Sequence, residues 1–233
     1  MNRNGIFFES LSVRFGSKVA LEELSFVAKP GEITGLLGRN GAGKTTALRA
    51  LVGLISADSG TALIDEVTFA QHRPGVIGVS LDAAFPPARR VYNQLKATAL
   101  AFDISHARVD EVVEILELGE FLGKKCVALS LGMKQRLSIA CAILSDPQVL
   151  ILDEPVNGLD PDGIKWLHEH LRRSADSGKT ILVSSHYLHD MEKYVDHAVI
   201  LQKRLLWEGD WSPDREESLE SIFIEATSGT TIS

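Results

Sequence analysis

The chain has 233 residues, 45% hydrophobic and 24% charged, proportions of a folded globular protein that exclude disordered, collagen-like and disulfide-scaffold classes. Lys and Arg number 24 against 31 Asp and Glu, a net charge of -7, so the basic excess by which nucleic-acid binders hold phosphates is absent and nucleic acid is not an expected partner.

Taken in chain order, Ile6 to Phe15 and Leu24 to Ala28 mix apolar and polar positions and read as strands, closed by the Pro30-Gly31 turn. Glu32 to Leu37 is a short apolar strand. It is followed by a glycine-rich loop and by Lys44 to Leu54, where Ala47, Leu48, Leu51 and Leu54 have helical spacing. Between about residues 83 and 146 the pattern turns helical, with Val109, Val112, Val113 and Leu116 on one face. Two buried-strand runs then flank a helix from about Pro161 to Ala175: Val149 to Leu152, and Thr180 to Ser184. That order makes parallel βαβ units. A domain over residues 1–210 is therefore expected, with a tail over 211–233 whose Leu219, Ile222 and Phe223 have helical spacing. The opening segment lacks the apolar stretch of a secretion signal, and no run of 18 apolar residues occurs. Cys126 and Cys141 sit in no metal-ligand spacing and read as small buried hydrophobes suited to a reducing cytosol.

Two motifs carry chemistry. Gly38-Arg39-Asn40-Gly41-Ala42-Gly43-Lys44-Thr45 fits G-x-x-x-x-G-K-[ST] and lies between an expected strand and an expected helix. Gly38, Gly41 and Gly43 let backbone N–H groups, with that of Asn40, curl around phosphates. Lys44 adds a cation, Thr45 offers its hydroxyl to Mg²⁺, and Thr46 follows in the first helical turn. The second motif is Asp153-Glu154 at the end of the Val149 to Leu152 run. There Asp153 would hold Mg²⁺ and Glu154 would polarise the attacking water. His168 and His170 are two apart on a helix and cannot chelate together; His186 and His189 are spaced better, but a phosphate contact suits His186 more than a metal. Trp166 with Leu167 and Leu171 reads as helix packing.

With Leu129-Ser130-Leu131-Gly132-Met133-Lys134-Gln135-Arg136, the chain resembles the nucleotide-binding subunit of an ATP-binding cassette (ABC) transporter, whose signature is LSGGQ-x-Q-R. The resemblance extends to Asn157-Gly158-Leu159-Asp160, similar to the family's D-loop, and to Ser184-Ser185-His186, similar to its switch-histidine motif. It implies an α/β fold: a P-loop NTPase core with a mixed sheet, an N-terminal antiparallel β-subdomain and an inserted α-helical subdomain. It further implies ATP and Mg²⁺ as cofactors, Glu154 and His186 as catalytic residues, and Phe15 as the aromatic beneath adenine. Ser130 and Gly132 would meet the γ-phosphate bound by a second nucleotide-binding domain, identical or homologous, and Asp160 would contact that partner. A separately encoded transmembrane permease would hold the chain at the inner face of the membrane. The closing Leu219 to Phe223 stretch and the acidic block at Asp153 to Pro161 resemble the exporter branch. Alternatives are a non-transport ATPase of this type acting on DNA or ribosomes, or an ATP sensor with weak hydrolysis.

The sequence departs from the pattern in places. Asp82 stands where the family has Gln, bringing a negative charge beside phosphates while still able to ligate Mg²⁺. Leu131 occupies a glycine position of the signature.

Overall fold

The computed structural model describes residues 4–228. The elements are β1 (Ile6–Phe15), β2 (Lys18–Ala28), β3 (Ile33–Leu37), α1 (Lys44–Leu51), β4 (Ser59–Ile64), β5 (Ile77–Ser80), α2 (Val91–Ala101) and α3 (His106–Ile115). After them come α4 (Leu131–Ile143), β6 (Val149–Asp153), α5 (Pro161–Asp176), β7 (Thr180–Ser185), α6 (Leu188–Met191), β8 (His197–Gln202), β9 (Arg204–Asp210) and α7 (Leu219–Ser228). The chain divides into two compact units, one holding the stretches up to Gln71 and from Arg172 onward, the other His72–Leu171.

In the first unit, β1 lies between β2 and β4 and pairs antiparallel with both. Ile6, Phe8, Leu11 and Val13 of β1 are buried, and the Phe8 and Phe26 rings stack at 4.4 Å. β2 begins at Lys18, earlier than the apolar pattern at Leu24 to Ala28 suggests. In its first half only Leu21 is buried, and its ladder partners on β1, as in Phe15 with Lys18 and Val13 with Leu21, supply the order that its own side chains do not signal.

The same unit holds the strand order β7-β3-β8-β9, with β3 parallel to β7 and β8, and β9 antiparallel to β8. Every residue of β3 and β7 is buried, as expected of parallel strands covered on both faces. The start of β3 is pinned from the side. Asp196 accepts the Ile33 backbone N–H at 2.8 Å and receives Arg172 through two contacts at 2.7 and 2.9 Å.

Helix α1 stops at Leu51, three residues short of the periodic pattern that runs to Leu54. Gly53 takes the left-handed conformation (φ 73°) and donates to the Ala50 carbonyl at 3.1 Å, and Leu54 donates to the Arg49 carbonyl at 2.8 Å. This pair of bonds is a Schellman closure, which satisfies the last carbonyls and turns the chain away, leaving Leu54 exposed. α7 is held by buried Leu219 and Ile222, and Glu192 accepts the Leu219 N–H at 2.5 Å. The first three residues of the expected domain and residues 229–233 of the expected tail lie outside the described residues.

In the second unit, β5 and β6 pair in parallel from Ile77 with Val149 to Ser80 with Leu152. α4 packs directly on β5: the Ser80 and Ser138 hydroxyls meet at 2.6 Å. α3 is capped by Ser105, which accepts the Arg108 N–H, and Val109, Val112 and Leu116 are its buried face. Arg108 then reaches the Ile143 and Leu144 carbonyls at 3.1 and 3.2 Å, satisfying the end of α4. Burial pushes the Cys126 thiol up and the Cys141 thiol to about 11, so both remain protonated near neutrality. Both cysteines are free, and no described helix is long and apolar enough to cross a membrane.

Candidate functional site

The first unit sets the glycine-rich loop beside a histidine. Parallel pairing sets Leu37 opposite Ser185, so the carboxyl ends of β3 and β7 finish side by side and release the chain into Gly38 and His186 respectively. The Gly38 N–H donates to the Ser185 carbonyl at 3.3 Å, closing that juncture. Carboxyl ends of parallel strands are where ligands bind in α/β sheets.

The loop is braced on two sides. Gly43, the N-cap of α1, has φ 107°, and a Cβ there would stand 2.6 Å from Leu21 and 2.8 Å from the Ala20 carbonyl, so only glycine fits against β2. Opposite, Lys203 in the β8–β9 turn donates its N–H to the Ala42 carbonyl at 2.7 Å, and its own carbonyl accepts Glu22 N–H at 2.7 Å. Sequence reasoning missed this brace. Lys203 sits at φ 62° with no glycine or asparagine to mark the turn, and its contribution comes entirely from backbone atoms.

Lys44 is 5% exposed, and its ammonium donates to the Gly38 carbonyl at 2.7 Å, inside the curl of the loop. Thr45 and Thr46 are half-buried in the first turn of α1, where backbone N–H groups point past the helix end. Asn40, Gly41, Arg39, His186, Lys203 and Phe223 line a cavity of about 590 Å³ at the loop's tip. Neither Arg39 nor Phe223 was legible as a wall of that cavity, because α7 reaches it from far along the chain. Phe15 stands at the tip of the β1–β2 hairpin, 55% exposed, with its ring available as a flat apolar surface. The His186 ring lies 4.0 Å from that of Tyr187.

The second unit carries the acidic residues. Asp153 ends β6 and is 9% exposed; Glu154 follows in the left-handed region (φ 48°), a conformation that costs a non-glycine residue on the order of 1–3 kcal/mol and clusters at functional sites. Asp82 is exposed two residues past β5, the neighbour of β6, so Asp82 and Asp153 lie at adjacent carboxyl ends of one parallel pair. Among the described residues no three His, Cys, Asp or Glu side chains group as a metal cage. Carboxylates such as Asp153 and Asp82 suit Mg²⁺, which is usually shared with substrate phosphates.

Ser130 is the N-cap of α4, accepting the Met133 N–H at 3.3 Å, and Leu131 is 65% exposed in the first turn. Ser130, Gly132, Met133, Arg136, Gly158 and Asp160 line a cleft of about 700 Å³. Asp160 accepts both Arg136 at 2.7 Å and the Gly163 N–H at 3.1 Å, so it caps α5 within its own chain. Arg136 also meets Glu117 at 2.9 Å, a partner that no motif spacing signalled. On α5, Leu167 and Leu171 are fully buried, while Trp166 stacks on His170 at 5.0 Å.

The two units therefore present the parts of a P-loop nucleotide-binding protein. The sequence pattern described as ABC transporter matches residues 21–157. The ABC transporter ATP-binding protein YdbJ of Bacillus subtilis (strain 168) is 39% identical over 204 residues, covering 85% of this chain, which spans 66% of that relative's length. The lantibiotic transport ATP-binding protein SrtF of Streptococcus pyogenes is 32% identical over 219 residues, covering 92% of this chain and 94% of SrtF. A solved ATP binding subunit of an ABC transporter superposes with a TM-score of 0.83 at 29% identity, covering 96% of this chain and 100% of that one. The chain belongs to the ABC transporter family and has its α/β cassette fold, with a mixed sheet and an N-terminal antiparallel sheet.

Proposed function

We propose that this chain binds ATP with Mg²⁺ through Gly38 to Thr45 and hydrolyses it to drive a separately encoded membrane permease, as the ATP-binding subunit of an export system. The observation that carries the reading is the juncture of β3 and β7, which sets the phosphate-binding loop next to His186 within one rigid sheet. Relatives named as ATP-binding proteins of transporters support a role in transport. The chain works as a pair of such domains, and its place at the inner face of the membrane comes from the permease.

In this reading the loop's N–H groups and Lys44 hold the phosphates, while Phe15 offers its face to the base. Thr45, Asp153 and Asp82 would hold Mg²⁺, which neutralises charge developing on the phosphate oxygens. Glu154 orients a water and takes its proton as the oxygen attacks the γ-phosphorus, whose bond to the bridging oxygen breaks so that ADP leaves. His186 donates a hydrogen bond to a terminal phosphate oxygen. Ser130 and the first N–H groups of α4 present an anion site to the nucleotide held by the partner domain. Asp82 places a carboxylate where an amide is usual and slows turnover by adding negative charge near the phosphates.

Steady-state phosphate release by the chain with its permease in membranes tests the reading. Glu154→Gln keeps ATP binding and lowers turnover at least about 100-fold, as loss of a general base does. Turnover by Glu154→Gln at the wild-type rate would overturn the assignment.

A further inference from the structure

We propose that Arg136 is a positioning residue that yokes the Asn157 to Asp160 segment to α4, so that the chain behind Glu154 and the Ser130 to Gly132 turn move as one body. The inference rests on the ATPase reading above and adds to it an assignment for Arg136, Glu117 and Asp160.

Three contacts build the yoke, all within the second unit. Arg136 sends one nitrogen to Asp160 Oδ1 at 2.7 Å and the other to Glu117 Oε2 at 2.9 Å and the Leu116 carbonyl at 3.3 Å. Its side chain is 15% exposed, whereas those of Glu117 and Asp160 are 74% and 58% exposed. An exposed ion pair contributes little to stability. The planar guanidinium nevertheless fixes the directions of several acceptors at once, which an ammonium cannot do. One turn earlier, Gly132 touches the other segment backbone to backbone: a Cβ there would lie 2.1 Å from the Gly158 carbonyl. The segment is joined to the catalytic strand as well, since the Asn157 N–H donates to the Glu154 carbonyl at 3.2 Å.

Displacement of Glu154 is thereby passed through Asn157 to Gly158 and Asp160 to the first two turns of α4. Oδ1 of Asp160 accepts from both Arg136 and the Gly163 N–H of its own chain, so that oxygen serves here as an anchor. Arg136 touches no reacting atom in this account; it acts through the groups it holds.

The experiment uses Arg136→Gln, Arg136→Lys, Asp160→Asn and the Arg136→Gln/Asp160→Asn double variant. Asparagine remains a good helix cap, so Asp160→Asn loosens the pair while keeping α5 started. With the permease present, Arg136→Gln and Asp160→Asn each lower kcat about tenfold or more, at a KM for ATP within about twofold of wild type, the signature of displaced but intact groups. The double variant falls no further than the worse single one, and Arg136→Lys recovers part of the loss. Amide exchange at Gly158 to Gly163 speeds up in the single variants by more than their loss of global stability accounts for. Losses that multiply in the double variant, or unchanged kcat and unchanged exchange, would overturn the yoke. If wild-type protein takes up no ATP, the ATPase reading fails by itself. Exchange then decides the yoke alone: faster exchange in Arg136→Gln supports it and unchanged exchange refutes it.

Discussion

At the residue scale, Asp160 shows how one carboxylate can matter more for geometry than for energy. The hydrogen bond from Arg136 holds its pKa below the usual carboxylate range, with the Gly163 N–H acting in the same direction. A depressed folded pKa stabilises the fold above the unfolded value, about 4, and that stabilisation disappears as pH falls through the folded value. Asp160→Asn is therefore less stable than wild type near pH 6, and the gap closes as the pH is lowered toward 3. Thermal unfolding across that range checks it; a gap that widens in acid would contradict the pairing. Glu154, the proposed general base, is the complementary case, a carboxylate in a left-handed conformation that no composition argument reveals.

At the element scale, the parallel strands were legible because each is a short continuous apolar run. Val149 to Leu152 and Thr180 to Ser184 stand out in the sequence, and the structure extends each by one residue. Gly38 to Thr45 was readable for a different reason: its backbone conformation restricts which residues fit. The β8–β9 turn, the early start of β2 and the end of α1 at Leu51 were not readable. Their causes are backbone bonds to distant partners, as Lys203 to Ala42, or a helix closure that overrides an apolar side chain at Leu54. Asp196 belongs with these, a single side chain joining Ile33 to Arg172 across the first unit. Asp196→Ala lowers unfolding stability by about 1–2 kcal/mol, mostly through the lost charge-assisted bond to Ile33, since the half-exposed ion pair contributes less. Urea unfolding monitored by circular dichroism measures this, and a change below about 0.5 kcal/mol would show that β3 is set without Asp196.

At the scale of the whole molecule, a net charge of -7 coexists with a loop tip lined by Arg39, Lys203 and His186, and with a signature cleft lined by Glu114, Glu117 and Glu120. The basic side chains at the loop tip suit an anionic ligand there. The central claim is that ATP is held by Gly38 to Thr45, and calorimetric titration of the purified chain with ATP and Mg²⁺ tests it most directly. Saturable uptake of one ATP per chain is expected, reduced at least about tenfold in affinity by Lys44→Ala through loss of a buried, charge-assisted contact. No uptake by folded wild-type protein, or equal affinity in Lys44→Ala, would contradict it.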